Sequence, residues 1–184
     1  YDKNYNGSWN GLTIISIAIG QGEVPATPLQ IANLSATIAN RGYFITPHVV
    51  KEVEDEPLDT LYSNKRYTKV RKEHYETVVQ GMRAAVTGGT CRAANLPGLD
   101  VCGKTGTAQN RGKDHSAFMG FAPMNDPKIA VSVYVENGGW GATYGVPIGA
   151  LIIEKYLKGE LSAESEMKAR DIQNRRIDYG IHER

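Results

Sequence analysis

The sequence predicts an α+β fold, in which helices pack on an antiparallel sheet. Three runs rich in apolar and β-branched residues predict strands over 99–109, 116–123 and 128–136. The segments that join them, 110–114 and 123–127, are turn-rich and too short for crossover connections, so neighbouring strands must run antiparallel. Apolar residues at helical spacing predict packed helices near 28–41, 73–86 and 146–157.

Composition excludes several classes of function for these 184 residues. The 21 Lys and Arg residues balance the 20 Asp and Glu residues, leaving a net charge of +1. This balance argues against nucleic acid as a partner, because nucleic-acid binders carry a basic excess. No run approaches the roughly 18 apolar residues that a membrane span needs. The chain has no apolar signal core and no initiator Met, so we expect it to be part of a longer protein.

The first third of the chain predicts a loop, a strand and a helix, in that order. Residues 1–12 are polar and Gly-rich, which is typical of a loop, and the β-branched run 13–19 predicts a buried strand or extended segment. Thr27 and Pro28 predict a helix start, with Thr27 as N-cap, and the Asn-Arg-Gly of 40–42 predicts its end.

The middle of the chain is strongly charged. Residues 43–53 predict a strand that Pro47 confines to a sheet edge. An acidic run and then a basic run within 51–76 predict two arms of an exposed hairpin with opposite charges paired, either a solvated surface or a binding patch. The helix that follows should bury one apolar face, formed by Tyr75, Val78, Val79, Met82 and Val86.

Two features of the sequence leave more open. Cys91 and Cys102 are too few for a disulfide scaffold; each fits a buried thiol, but adjacent strands would also allow a disulfide between them. Residues 159–184 mix acidic and basic side chains with few apolar anchors. We therefore expect a domain over 1–158 and a flexible tail over 159–184.

The segment Gly103-Lys104-Thr105-Gly106-Thr107 carries the clearest chemical signal. Lys104 interrupts an otherwise buried strand, which is costly unless its charge is paired or faces a cleft. Thr105 and Thr107 should project to the same face, since strand side chains alternate. Gly106 permits a close approach to the backbone. Two hydroxyls and an ammonium suit a carboxylate, and the Thr107 N–H, on an edge strand, can stabilise an oxyanion.

These residues resemble a family signature. Lys-Thr-Gly is the third motif of the active-site serine penicillin-recognising enzymes. Further blocks occur in the family's order: Ile19-Gly20-Gln21-Gly22, Ala26-Thr27-Pro28-Leu29-Gln30, Ala39-Asn40-Arg41-Gly42, Phe121-Ala122-Pro123 and Glu136-Asn137-Gly138-Gly139. Over residues 13–158 the chain resembles the C-terminal part of the transpeptidase domain of a class B (monofunctional) penicillin-binding protein of the elongation type.

The resemblance implies a partial penicillin-binding or serine β-lactamase-like transpeptidase fold. Its enzymes cross-link peptidoglycan stem peptides through a serine acyl-enzyme, and β-lactams trap that intermediate. It implies that Lys104 tunes the site, that Thr105, Gly106 and Thr107 bind the substrate carboxylate, and that the Thr107 N–H forms half of the oxyanion hole. No cofactor or metal is expected. The longer protein would work with the cell-wall elongation machinery at the extracytoplasmic face of the cytoplasmic membrane, anchored by a segment outside this chain.

The family's other two motifs are not found at their expected places. Ser165-Glu166-Met167-Lys168 has the Ser-x-x-Lys form but lies after Lys-Thr-Gly, and Ser8-Trp9-Asn10 lies too close to the Gly-Gln-Gly block. We therefore expect the chain alone to be inactive. The alternatives are a serine β-lactamase, a β-lactam sensor domain and a non-catalytic interaction module.

Three further expectations concern other residues. His115 is expected to be structural rather than a cleft residue, and Trp140 to be a packing residue. Four residues of the 28–41 helix should expose apolar area and favour self-association of the isolated chain: Leu29, Ala32, Ala36 and Ala39.

Overall fold

The computed structural model describes residues 9–22, 24–54, 56–177 and 179. A short 3-10 helix, Arg92–Ala94, precedes the main sheet. In chain order the other elements are α1 Gly11–Ala18, α2 Pro28–Ala39, β1 Tyr43–Phe44, α3 Thr60–Ser63, β2 Arg66–Tyr67, α4 Lys72–Thr87, β3 Cys102–Ala108, β4 His115–Ala122, β5 Ile129–Val135, α5 Gly145–Lys158 and α6 Ala163–Asn174. No helix among the described residues combines the length and apolar character needed to cross a bilayer.

The three predicted strands form one antiparallel sheet in the order β3-β4-β5. Lys104 lies opposite Met119 on β4, and Met119 lies opposite Ser132 on β5. Because β4 is central, β3 has a partner strand on one side only among the residues that the structure describes. The α+β prediction, the antiparallel order and the three helices packed on the sheet are confirmed.

Helix α5 packs closely on one face of the sheet around Phe118, which is 1% exposed. A Cβ on Gly149 would lie 2.4 Å from Phe118 Cδ1, and one on Gly145 would lie 3.1 Å from Phe118 Cβ. Glycine at these two positions lets the helix backbone approach the ring. We call this side, with its buried residues on β4, β5 and α5, the α5 face.

Helices α2 and α4 cover the opposite side, which we call the α2–α4 face. Its buried residues include Ile38, Tyr75, Val79, Cys102 and Phe121. As predicted, Thr27 caps α2 by accepting the Gln30 N–H at 3.3 Å, and Pro28 begins the helix. The predicted apolar face of α4 is buried except at Val78, which is 45% exposed.

The strand predicted over 13–19 is wrong, because residues 11–18 form helix α1. Asn10 caps it by accepting the Leu12 N–H at 2.9 Å, and the Thr13 hydroxyl accepts the Asn10 N–H. The strand preference of β-branched residues depends on packing against a sheet, and α1 buries none of its residues. Leu29 is exposed as expected but Ala39 is 4% exposed, and the predicted self-association stays a prediction. The loop expected over 1–12 lies largely outside the described residues.

The strand predicted over 43–53 is reduced to the two residues of β1. Its partner is β2, so the basic arm pairs with Tyr43 and Phe44 rather than with the acidic run. Lys65 Nζ lies 4.4 Å from the centroid of the Tyr43 ring, a cation–π contact that a charge pattern does not reveal. The chain from Ile45 onward leaves the pairing and reaches Pro47, which has no N–H to donate to a ladder.

The part of the chain after 159 contains a helix, where the sequence predicts a flexible tail. Helix α6 starts at its N-cap Ser162 and buries Ser165 against α5. Glu154 of α5 is 1% exposed, and Lys158 Nζ donates to its Oε1 at 3.2 Å. Burial alone would raise the pKa of Glu154, but the polar side chains of Ser165, Lys158 and Ser162 beside it lower the pKa below its usual value.

Both cysteines are free thiols, so the disulfide alternative is wrong. Cys91 packs in the α5 face and Cys102 in the α2–α4 face, so the two thiols lie on opposite faces of the sheet. Burial raises the pKa of the Cys102 thiol to about 11, against the opposing effect of the nearby Arg83 and Arg41 charges.

Candidate active site

The Lys-Thr-Gly residues lie on β3, whose outer edge pairs with no strand in the described part of the chain. Thr105 and Thr107 lie on the same face, as predicted. The Gly141 N–H donates to Thr107 Oγ1 at 3.4 Å, and a Cβ on Gly141 would lie 3.0 Å from Thr105 Cβ. Lys104 points to the opposite face, because adjacent strand residues alternate. The stem of the Lys104 side chain therefore leaves the strand on the side opposite to the two hydroxyls.

A cavity of about 600 Å³ lies on the α2–α4 face next to Lys104. Its lining is apolar except for Lys104 and Thr90: Ile38, Val78, Gly81, Met82, Ala85, Gly89 and Met119 complete it. The α2–α4 face is covered at Cys102, which is buried, and is open at Lys104, which is exposed two residues later on the same strand. Lys104 thus faces a cleft, which is one of the two conditions that make a charge tolerable at this position.

The Lys104 ammonium reaches back to its own strand. Lys104 Nζ donates to the Thr105 carbonyl oxygen at 2.7 Å. The Gly106 carbonyl, by contrast, points toward β4. Gly106 lies opposite Ala117, and both their carbonyl oxygens lie 2.6 Å from where a Gly141 Cβ would be. Carbonyls alternate along a strand, so those of Thr105 and Thr107 face the outer edge. The positive charge therefore lies at the unpaired edge of β3.

The Thr107 backbone faces the same edge. Gln21 Nε2, from the loop after α1, donates to the Thr107 carbonyl oxygen at 3.1 Å. Within one strand residue the N–H and C=O point the same way, so the Thr107 N–H is directed outward as well. The sequence pattern by itself indicates no role for Gln21. Its only signal was membership of the Gly20-Gln21-Gly22 block.

The Thr105 hydroxyl has a partner that the sequence analysis also missed. Thr90 Oγ1 lies 2.9 Å from Thr105 Oγ1. The neighbouring Cys91 is fully buried, and burial raises the pKa of its thiol, although Thr90, the Lys104 charge and the Thr105 backbone act to lower it. The 90–91 segment therefore lies against β3 at Thr105. The Gly88-Gly89 turn before it was the only hint in the sequence.

Gly106 allows a close approach, as predicted, and the group that approaches is the neighbouring strand. A Cβ on Gly106 would lie 3.2 Å from the Ala117 Cβ. The glycine is thus explained by sheet packing, without a ligand.

His115 and Trp140 lie beyond the end of the Lys-Thr-Gly segment. The Asn137 N–H donates to His115 Nδ1 at 3.0 Å, and the His115 ring centroid is 5.3 Å from that of Tyr134, which gives His115 the expected structural role. The packing role expected for Trp140 is wrong, because 78% of the residue is exposed. Its backbone carbonyl accepts the Ser116 hydroxyl at 2.8 Å.

The displaced Ser-x-x-Lys has a structural explanation. Ser165 is 2% exposed and its N–H donates to the Ser162 hydroxyl at 3.3 Å, while Lys168 Nζ forms an ion pair with Glu164 at 2.7 Å. Asn10 is the N-cap of α1, and Ser8 lies outside the described residues. Within the described part of the chain, no cluster of three or more His, Cys, Asp or Glu side chains could hold a metal ion.

Comparison with known proteins gives one family and several related structures. Residues 2–157 match the family described as penicillin binding protein transpeptidase domain. Peptidoglycan D,D-transpeptidase MrdA of Haemophilus influenzae is 32% identical over 183 residues, covering 86% of this chain and 28% of the relative.

Two solved structures are similar to most of the chain. The crystal structure of Pseudomonas aeruginosa PBP2 in complex with WCK 5153 has a TM-score of 0.75 and 35% identity, over 89% of this chain and 37% of that one. The imipenem acyl-enzyme complex of penicillin-binding protein A from M. tuberculosis has a TM-score of 0.63 and 32% identity, over 75% and 32%. The chain therefore spans well under half the length of these relatives.

Proposed function

We propose that this chain, which belongs to the penicillin-binding protein transpeptidase domain family, forms one wall of the acyl-transfer site of a peptidoglycan D,D-transpeptidase. The nucleophilic serine would come from a segment that is not in this chain. The relative named as a D,D-transpeptidase and the related structure named as an acyl-enzyme both support this reaction class.

The outer edge of β3 is the observation that carries the proposal. It combines an outward N–H at Thr107, the Lys104 ammonium and the Thr105 hydroxyl. An acyl transfer passes through a tetrahedral oxyanion, which a fixed backbone N–H stabilises without reorganisation. The unpaired edge can also accept an extended peptide as an added strand.

Each residue would have a separate part in the reaction. The Thr107 N–H would stabilise the oxyanion that forms when the serine attacks the penultimate D-Ala carbonyl of a stem peptide. Thr105 and Thr107, with Gly106 between them, would hold the terminal carboxylate. Lys104 would supply positive charge at the cleft. The acyl-enzyme would then be resolved by an amine from a neighbouring stem peptide, and β-lactams would trap it.

The surroundings of the reaction follow from the same family. The longer protein would act at the extracytoplasmic face of the cytoplasmic membrane, where peptidoglycan is assembled, together with the cell-wall elongation machinery. The chain alone would supply the Lys-Thr-Gly strand but would not turn over substrate.

The test is covalent labelling of the full-length protein with a fluorescent penicillin. Lys104→Ala should lower the acylation rate by about 10²–10³-fold, as the loss of one charge-stabilising donor does elsewhere, and should leave the unfolding midpoint nearly unchanged because Lys104 is exposed. Lys128→Ala is the matched control, since Lys128 is exposed and its Nζ pairs with Asp126 at 2.6 Å, on the turn before β5. Equal loss of stability and of labelling in Lys104→Ala would contradict the proposal.

A further inference from the structure

We propose that Thr90, which lies outside the Lys-Thr-Gly strand, is a positioning residue that orients the Thr105 hydroxyl toward the substrate carboxylate. The inference rests on the proposed function and extends it to a residue fifteen positions earlier in the chain, whose Oγ1 lies 2.9 Å from Thr105 Oγ1.

The turn after α4 holds Thr90 in place. The N–H groups of Gly89 and Cys91 both donate to the Ala85 carbonyl oxygen, at 3.1 and 2.9 Å. A Cβ on Gly89 would lie 2.8 Å from Ala85 Cα, so the turn requires glycine there. Cys91, fully buried, anchors the other side. Thr90 is thus fixed on both sides, although it is itself exposed.

The chemistry of paired hydroxyls decides what Thr90 does. A hydroxyl has one proton to donate and two lone pairs to accept with, whereas a carboxylate can only accept. Thr105 can therefore donate to a carboxylate only if its own proton is not given to Thr90. The pair then has one productive arrangement, in which Thr90 donates to Thr105 and Thr105 donates to the ligand.

The charge beside the pair favours this arrangement once an anion is present. Lys104 Nζ lies on the Thr105 carbonyl oxygen at 2.7 Å and lines the same cavity as Thr90. The cation draws the carboxylate to the strand, and the carboxylate in turn attracts the Thr105 proton. Without the Thr90 hydroxyl, Thr105 would keep its proton but lose the partner that fixes its side-chain direction.

The experiment compares acylation of the full-length protein by benzylpenicillin with acylation by its methyl ester, which has no carboxylate. Thr90→Val should lower the rate ratio of acid to ester by about 10-fold, the effect of one hydrogen bond to a charged group. Thr90→Ser, which keeps the hydroxyl, should leave the ratio at the wild-type value. In a Thr105→Val background, Thr90→Val should have no further effect on the ratio.

Thr87→Val is the matched control, because Thr87 is the last residue of α4, directly before the same turn, and its hydroxyl donates to backbone carbonyls of α4. An equal loss for acid and ester in Thr90→Val, an unchanged ratio, or a Thr90→Ser protein that behaves like Thr90→Val would each overturn the inference while the proposed function stands. A wild-type protein that is acylated by neither compound overturns the proposed function and this inference with it.

Discussion

The two faces of the main sheet are built differently, although one strand contributes to both. On the α5 face the helix backbone lies directly against Phe118, and the core is continuous. On the α2–α4 face the core is closed at Cys102 and opens two residues later into the cavity beside Lys104. From this difference we expect substitutions on the α5 face to lower the stability of the fold. Substitutions at the open end of the α2–α4 face should lower mainly the activity.

Phe118 provides the largest test of this difference. Phe118→Ala should lower the free energy of unfolding by about 3–5 kcal/mol, because a fully buried ring leaves a cavity that its neighbours cannot fill. Met119→Ala, one residue later on the open side, should lower it by only about 1 kcal/mol, because Met119 is half-buried beside an existing cavity. Urea denaturation of the two variants measures both values, and equal losses would contradict the contrast between the faces.

Cys102 tests the closed end of the α2–α4 face through pH. The pKa of its thiol is raised to about 11 in the folded chain, so the thiol loses its proton at lower pH in the unfolded chain than in the folded one. The stabilisation that comes from burying the protonated thiol is fully present below the ordinary thiol pKa. It is lost as the pH rises through the pKa of the folded chain. Between pH 9 and 11 the wild-type chain should lose about 2–3 kcal/mol more than Cys102→Ala. Parallel pH profiles of the two chains would show that this end is open to water.

Glu154 tests whether the packing on α5 continues to the C-terminal helix α6. Because its pKa is lowered, its contribution to stability is present above the unfolded carboxyl pKa and is lost as pH falls through the folded value. Glu154→Gln should cost about 1.5 kcal/mol at pH 7, and the difference from wild type should shrink below about pH 4.

The control for Glu154 is Glu164→Gln, at an exposed carboxylate that pairs with Lys168 one helical turn away. Its effect should stay under about 0.5 kcal/mol, because exposed ion pairs are screened by water. Hydrogen exchange of the α6 amides measures how strongly the Glu154 substitution loosens that helix. Unchanged protection of α6 in Glu154→Gln would show that Ser165 and Glu154 do not hold this helix.

Local pattern predicted most of the regular elements. The apolar spacing of α4, the Thr27-Pro28 start of α2 and the short turns between β3, β4 and β5 each concern residues close in the chain, and all three are confirmed. The family resemblance, elongation type included, is confirmed as well. The relatives' names do not favour the β-lactamase, sensor or interaction-module alternatives.

The two failures have different physical causes, one in the surroundings of a segment and one in a contact between two helices. The run 13–19 has strand-forming residues, but the Asn10 cap and the lack of burial leave it helical. Residues 163–174 have few apolar anchors, but they form a helix that Ser162 caps and that buries Ser165 against α5. Neither the lack of burial around residues 13–19 nor the contact between α5 and α6 leaves a periodic signal in the sequence.

The sequence by itself determined that an ammonium and two hydroxyls lie on one strand of an antiparallel sheet, because strand alternation and turn length are properties of neighbouring residues. Only the tertiary structure decided which atoms meet that strand. Gln21 reaches Thr107 across 86 positions and Thr90 reaches Thr105 across 15. Such pairings depend on how whole elements pack, and packing energy is summed over many side chains that no single segment of sequence contains.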